Sequence, residues 1–257
     1  MRRALALGLI ACLNAPSAEA AIAALNSNLA IATYNSSGAT VATTLTTGAT
    51  TVDAPVGTLI VIVVGNRSTT NAITSCTDSA GNAYSASAAT TVSSGLVEVR
   101  SFYSLTTIDL PIGATFSCTV GSGNIQKSVV VGAFSGLASS GVFDATVTNI
   151  GTVSPVTFTT GTLNFASGGT QALVIAADAA SATTSYTESA SFTSMATLSN
   201  SFFTHLGFQI VNATTGISYS AAFTASATWA AQGPDFKGSG GGAACVPTLA
   251  LLGVSAC

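Results

Sequence analysis

Leu59-Ile60-Val61-Ile62-Val63-Val64 is apolar at every position and β-branched at five of the six. Six residues are too few for a buried helix, and the branching favours an extended backbone, so the run reads as a central strand covered on both faces. Val129 to Phe134 and Leu173 to Ala177 are likewise short and apolar on both faces, and the former is also strongly β-branched. Around these three runs the pattern changes to alternation. In Leu96-Val97-Glu98-Val99-Arg100-Ser101-Phe102-Tyr103, Val97, Val99 and Tyr103 share one face while Glu98 and Arg100 share the other, as on a half-buried strand with an outer polar face. Ala114 to Val120 likewise sends Phe116, Cys118 and Val120 inward.

Further strands are expected at Ala30 to Asn35, Ala83 to Ala88, Thr204 to Val211, Ile217 to Phe223 and Ala227 to Ala231. Turn residues separate many of these runs at short intervals, which is the pattern of sandwiches and jelly rolls. No helical period is sustained in the main body of the chain; Ala18 to Leu25 is Ala-rich and reads as a short helix at most. The expected fold is all-β: an antiparallel β-sandwich of jelly-roll type with about ten strands or more. No internal repeat of fixed period is visible.

The composition narrows the compartment. Only 6% of the 257 residues are charged while 48% are hydrophobic. Residues 1–20 read as a signal peptide: Arg2 and Arg3 start it, Ala4 to Leu13 are its apolar stretch, and Ser17-Ala18-Glu19-Ala20 supplies a small-x-small cleavage pattern. Leu9-Ile10-Ala11-Cys12 offers the rival of a lipidated Cys12. No run elsewhere reaches the ~18 apolar residues of a membrane span.

Removing Arg2, Arg3 and Glu19 from six basic and nine acidic residues leaves four and eight, a net charge of −4. Four cations make neither a phosphate-tracking surface nor a polybasic membrane patch, so neither nucleic acid nor an anionic lipid surface is an expected partner. The chain is expected to be secreted or displayed at a cell surface. Self-association and other surface proteins are the expected partners, since a sparsely charged sandwich must cover its strand edges or use them.

Cys76, Cys118, Cys245 and Cys257 remain after cleavage, and an even number in an exported chain suggests two disulfides. Of the three pairings, Cys76–Cys118 and Cys245–Cys257 join sequence neighbours. The chain-entropy relation gives about 4 kcal/mol for the first loop and about 3 kcal/mol for the second. The spacings do not suit zinc, and one histidine adds little. Composition breaks at Gly238-Ser239-Gly240-Gly241-Gly242, which divides a sandwich domain, 21–237, from a Gly-rich linker and apolar tail, 238–257, closed by the second disulfide. The tail is expected either to cover a sheet edge or to dock on another subunit.

Thr77-Asp78-Ser79-Ala80-Gly81-Asn82-Ala83-Tyr84 resembles the TDSAGNxY hairpin of a broad family of β-sandwich domains found in bacterial secreted and surface proteins and in phage structural proteins. The order of elements is similar too. Gly57 to Gly65 precedes the hairpin, and Val129 to Gly136, Phe143-Asp144-Ala145, Ala172 to Asp178 and Ala227 to Lys237 follow it. The resemblance spans roughly residues 28–237 and rests on turn and core residues, so it implies a fold and a setting rather than an activity.

Residues able to carry chemistry are few. His205 is the only histidine and is expected on an outward polar position of its strand; a catalytic role would need a carboxylate and a hydroxyl beside it. No G-x-S-x-G elbow exists. The acids are scattered singly along the chain, and no segment presents the close pair that glycosidase chemistry requires. Asp78 is expected to accept backbone N–H bonds within its hairpin, with Gly81 at a position of positive φ. Glu98 and Arg100 read as solvated strand decoration. Trp229 is the one candidate glycan contact, although a core position suits it better, and the five tyrosines form no stripe.

The sequence therefore predicts a non-enzymatic, cofactor-free and metal-free structural or adhesive protein of a bacterial surface or extracellular assembly. The alternatives are a virion surface or fibre protein of a phage and a carbohydrate-binding module.

Overall fold

The computed structural model describes residues 20–34, 43–67, 73–93, 97–121, 126–181, 186–199, 202–224 and 226–240. They form strands and connecting loops, with no helix among them. The first nine strands are β1 (Ala23–Tyr34), β2 (Thr44–Thr46), β3 (Leu59–Asn66), β4 (Ile73–Asp78), β5 (Ser85–Ala86), β6 (Thr91–Ser93), β7 (Val97–Leu105), β8 (Phe116–Val120) and β9 (Lys127–Ser135). The remainder are β10 (Phe143–Gly151), β11 (Val156–Thr159), β12 (Ala172–Ala180), β13 (Tyr186–Glu188), β14 (Thr193–Ser199), β15 (Phe203–Val211), β16 (Ser218–Phe223) and β17 (Trp229–Lys237).

These strands build four antiparallel sheets. One large sheet has the order β1-β9-β3-β7-β5, with β6 also on β7, and its small companion is β2-β8-β4. The other large sheet is β10-β17-β12-β15-β14, and its companion is β11-β16-β13. Within the first half β1 pairs with β9, β2 with β8 and β3 with β7; within the second, β10 pairs with β17, β11 with β16 and β12 with β15. Pairing first with last and second with next-to-last is a long hairpin rolled up across two sheets, which is the jelly-roll path. The molecule thus contains the same path twice. Alternating strands accept many side chains at each position, so the duplication shows in topology where no sequence period shows it.

The two large sheets lie face to face and the small sheets cover their outer faces. Leu59, Val61 and Val63 meet Leu173, Ile175 and Ala177 in the central core. Ile60, Ile62 and Val64 pack with Phe116, Cys118 and Val120 of the first small sheet. Val174, Ala176 and Phe203 pack with Phe158, Tyr219 and Phe223 of the second. A central strand therefore buries both faces, which is why the three deciding runs are continuously apolar.

The same layering corrects several expectations. Ala23 and Leu25 belong to β1 rather than to a helix. The strand expected at Ala83 to Ala88 shortens to Ser85–Ala86. Glu98 and Arg100 are not solvated decoration: Arg100 is half-buried, and Glu98 is fully buried and accepts from Asn66 Nδ2 at 3.2 Å. Arg100 donates to the carbonyls of Ala88 and Ile73 at 3.2 and 2.8 Å and lies over the Phe102 ring. Polar side chains on this strand meet the small sheet where a plain two-layer sandwich would offer water.

Cys76 and Cys118 stand opposite each other on β4 and β8 and form a disulfide within the second core. Cys245 and Cys257, with most of the tail, lie outside the described residues, as does the leader through Glu19. The start of the linker is ordered by pairing: Gly238 N donates to Gln171 O at 2.9 Å and Ser239 N to Gly136 O at 2.8 Å. Ser239 Oγ reaches Ala20 O at 3.0 Å, so the two ends of the described chain meet.

Candidate functional site

The sole histidine lies inside the second jelly roll. On β12 the even-numbered residues face the third core, which turns Asp178 inward among Val174, Ala176 and Ala180. His205 stands directly opposite it on β15, on the same face as Phe203. Both are fully buried, and His205 Nδ1 lies 3.0 Å from Asp178 Oδ1. This corrects the outward position expected for His205, and the covering small sheet is the reason.

That small sheet supplies the remaining groups. Tyr219 of β16 donates to Asp178 Oδ1 at 3.1 Å, and Tyr186 Oη of β13 lies 3.1 Å from His205 Nδ1. The two tyrosine hydroxyls also hydrogen-bond to each other. Glu188, two residues along β13, places Oε1 3.6 Å from His205 Nε2. Ser194 completes the cluster from the edge strand β14, next to a β-bulge, with Oγ 3.3 Å from His205 Nε2. Ser194 is exposed although the histidine behind it is not.

Gly207 makes the arrangement possible. It pairs with Ser194 across the β14–β15 ladder, and a Cβ there would strike the Glu188 carboxylate and lie 2.7 Å from His205 Cε1. Burial pushes the Glu188 carboxyl up to about 7; it outweighs the opposing pull of His205, and the Asp178 charge adds a lesser upward push. Both tyrosines are raised well above their ordinary range, first by burial and next by Asp178. They therefore stay protonated and serve as donors to the carboxylate.

The chemistry open to this arrangement follows from its order. A serine hydroxyl at Nε2 and a carboxylate at Nδ1 is the relation in which histidine removes a proton from a nucleophile. The same contacts, taken together, also tie three strands of one sheet region to two of its cover, the ordinary use of a satisfied buried network. Sequence singled out His205 alone. Asp178 carried a signal, being an acid inside an otherwise apolar central run. Ser194, Tyr186 and Tyr219 carried none, because only the rolled topology brings them together.

The other singled-out residues have local roles. Asp78 Oδ1 accepts from the backbone N–H groups of Ala80, Gly81 and Asn82 at 2.9, 2.7 and 3.1 Å, and Oδ2 from Tyr84 Oη at 2.9 Å. Gly81 takes φ +96°. Trp229 is 3% exposed and its Nε1 donates to Val153 O at 2.7 Å, so its ring presents no open face to a sugar. Among the described residues no cluster of His, Cys, Asp and Glu is arranged to hold a metal ion, and no helix is long and apolar enough to cross a membrane.

Comparison of the chain with protein-family models, with curated proteins and with solved structures gives no match.

Proposed function

We propose that this chain is an exported, non-enzymatic structural or adhesive protein of a bacterial surface or extracellular assembly. The observation that carries this reading is where the scarce polar charges go. Asp78, Glu98, Lys127, Asp178, His205 and Asp235 are all buried and hydrogen-bonded within the fold. Asp53 and Asp109 accept from the backbone N–H groups of Ile112 and Val56, and Asp144 holds Lys237 at 3.4 Å. Charge in this protein ties loops and strands together. A buried disulfide and four interlocked layers suit a unit that must endure outside the cell.

The leader reading is supported by where the packing starts. Ile22 is the first buried side chain among the described residues, two positions beyond the expected cleavage after Ala20. Its N–H donates to Gln171 Oε1 at 2.9 Å. A phage virion setting is the alternative for the same durable fold.

A second reading, a serine hydrolase, is favoured by one observation: the Ser194, His205 and Asp178 contacts at 3.3 and 3.0 Å. Two measurements separate the readings. Fractionation of the source cells should place the protein with surface or extracellular material, and a fluorophosphonate probe should leave the native protein unlabelled. Covalent labelling at Ser194, lost in Ser194→Ala, would replace the structural reading with the hydrolase.

A further inference from the structure

A second buried polar group lies in the first jelly roll, at the same end of the corresponding strand pair. Asn66 closes β3, with Lys127 of β9 directly opposite on one side and Glu98 of β7 directly opposite on the other. All three lie on the face covered by the small sheet. Asn66 and Glu98 are fully buried and Lys127 is 2% exposed.

Their contacts suit a reaction. Asn66 Nδ2 donates to Glu98 Oε2 at 3.2 Å, and Asn66 Oδ1 is buried without a hydrogen-bond partner. Lys127 Nζ lies 2.5 Å from Gly121 O. Directly opposite residues on paired strands have Cβ atoms about 4.5–5.5 Å apart, a gap that a four-carbon lysine stem spans easily. Desolvation lowers the Lys127 ammonium from its ordinary value, which favours the neutral amine.

We propose that Lys127 and Asn66 condense into an intramolecular isopeptide bond, with Glu98 carrying the proton. The lone pair of neutral Nζ attacks Cγ of Asn66, forming the new C–N bond. The proton that Nζ must lose passes to the Glu98 carboxylate, and from there to Nδ2. The Cγ–Nδ2 bond then breaks and Nδ2 leaves as ammonia. The reactants are an amine and a primary amide, the products a secondary amide and ammonia, and no oxidant or other reactant is needed. The bond would also remove a buried amine whose charged form is costly in this core. It would tie β3 covalently to β9, two central neighbours of one sheet. The second jelly roll offers no equivalent, since Asp178 there faces His205 and Ala231.

The test is the intact mass of the full chain, reduced and denatured, followed by sequencing of its peptides. The expected mass is short by one ammonia, with a branched peptide carrying both Asn66 and Lys127. Lys127→Arg keeps a cation but offers no reactive amine, and it should restore the full mass, as should Glu98→Gln. A wild-type chain of full mass overturns the proposal. So does an ammonia loss that survives in Lys127→Arg, which would assign it to an asparagine succinimide.

Discussion

Asp78 accepts from three successive backbone N–H groups and from one tyrosine, so removing its carboxylate strands several donors at once. Asp78→Ala should cost about 3 kcal/mol, read by chemical denaturation, since each buried unsatisfied group costs about 1–3 kcal/mol. Gly81→Ala should cost about 1–2 kcal/mol, because its positive φ is disfavoured for any L side chain. This hairpin was fully legible: the Asp and the Gly stand at the positions that turn chemistry requires. The buried carboxyls were not, because their environment is made by strands distant in sequence. Glu188 is raised from 4.5 to about 7, and Asp235 from 3.8 to about 6, in both cases chiefly by burial. The folded state therefore holds protons that the unfolded chain releases. Their contribution is most favourable below pH about 4 and is lost as pH rises through 6 and 7. Melting temperature should fall across that window, and Glu188→Gln should flatten its upper part.

Among elements, the best-read strands were those whose side chains meet protein on both sides. β3, β9 and β12 follow directly from Leu59 to Val64, Val129 to Phe134 and Leu173 to Ala177. β10, with Asp144, Thr146, Thr148 and Asn149 among its nine residues, has no comparable pattern and is held chiefly by its ladder to β17. β5 and β6 both pair with β7 and leave a gap between them, where the Ser101 N–H lacks a strand partner. Gln232 of β17 fills that gap from the opposite sheet. Its Oε1 accepts from Ser101 N and Oγ at 2.8 and 2.7 Å, while Nε2 donates to Ala89 O at 2.8 Å. Gln232→Leu keeps the volume but strands these groups, and should cost about 3 kcal/mol in the same denaturation assay.

At the scale of the whole molecule, the two jelly rolls are equivalent in path but not independent. Leu59, Val61 and Val63 of one and Leu173, Ile175, Leu206 and Phe236 of the other share a single core. A fragment of residues 143–240 alone would expose that face. It should fail to give a cooperative, monomeric unfolding transition, whereas the full chain should unfold in one step; a well-folded monomeric fragment would show that the halves are separable domains. The functional reading belongs to this scale too, because it rests on charges drawn into the fold and on layers that leave few groups for surface chemistry. Its most direct test is the non-reducing intact mass and native size of the protein purified from its own source. The expected result is a chain beginning at Ala21, with Cys76 and Cys118 oxidised, that runs as an assembly or with surface partners. A chain retaining Met1 and running as a free monomer would contradict it.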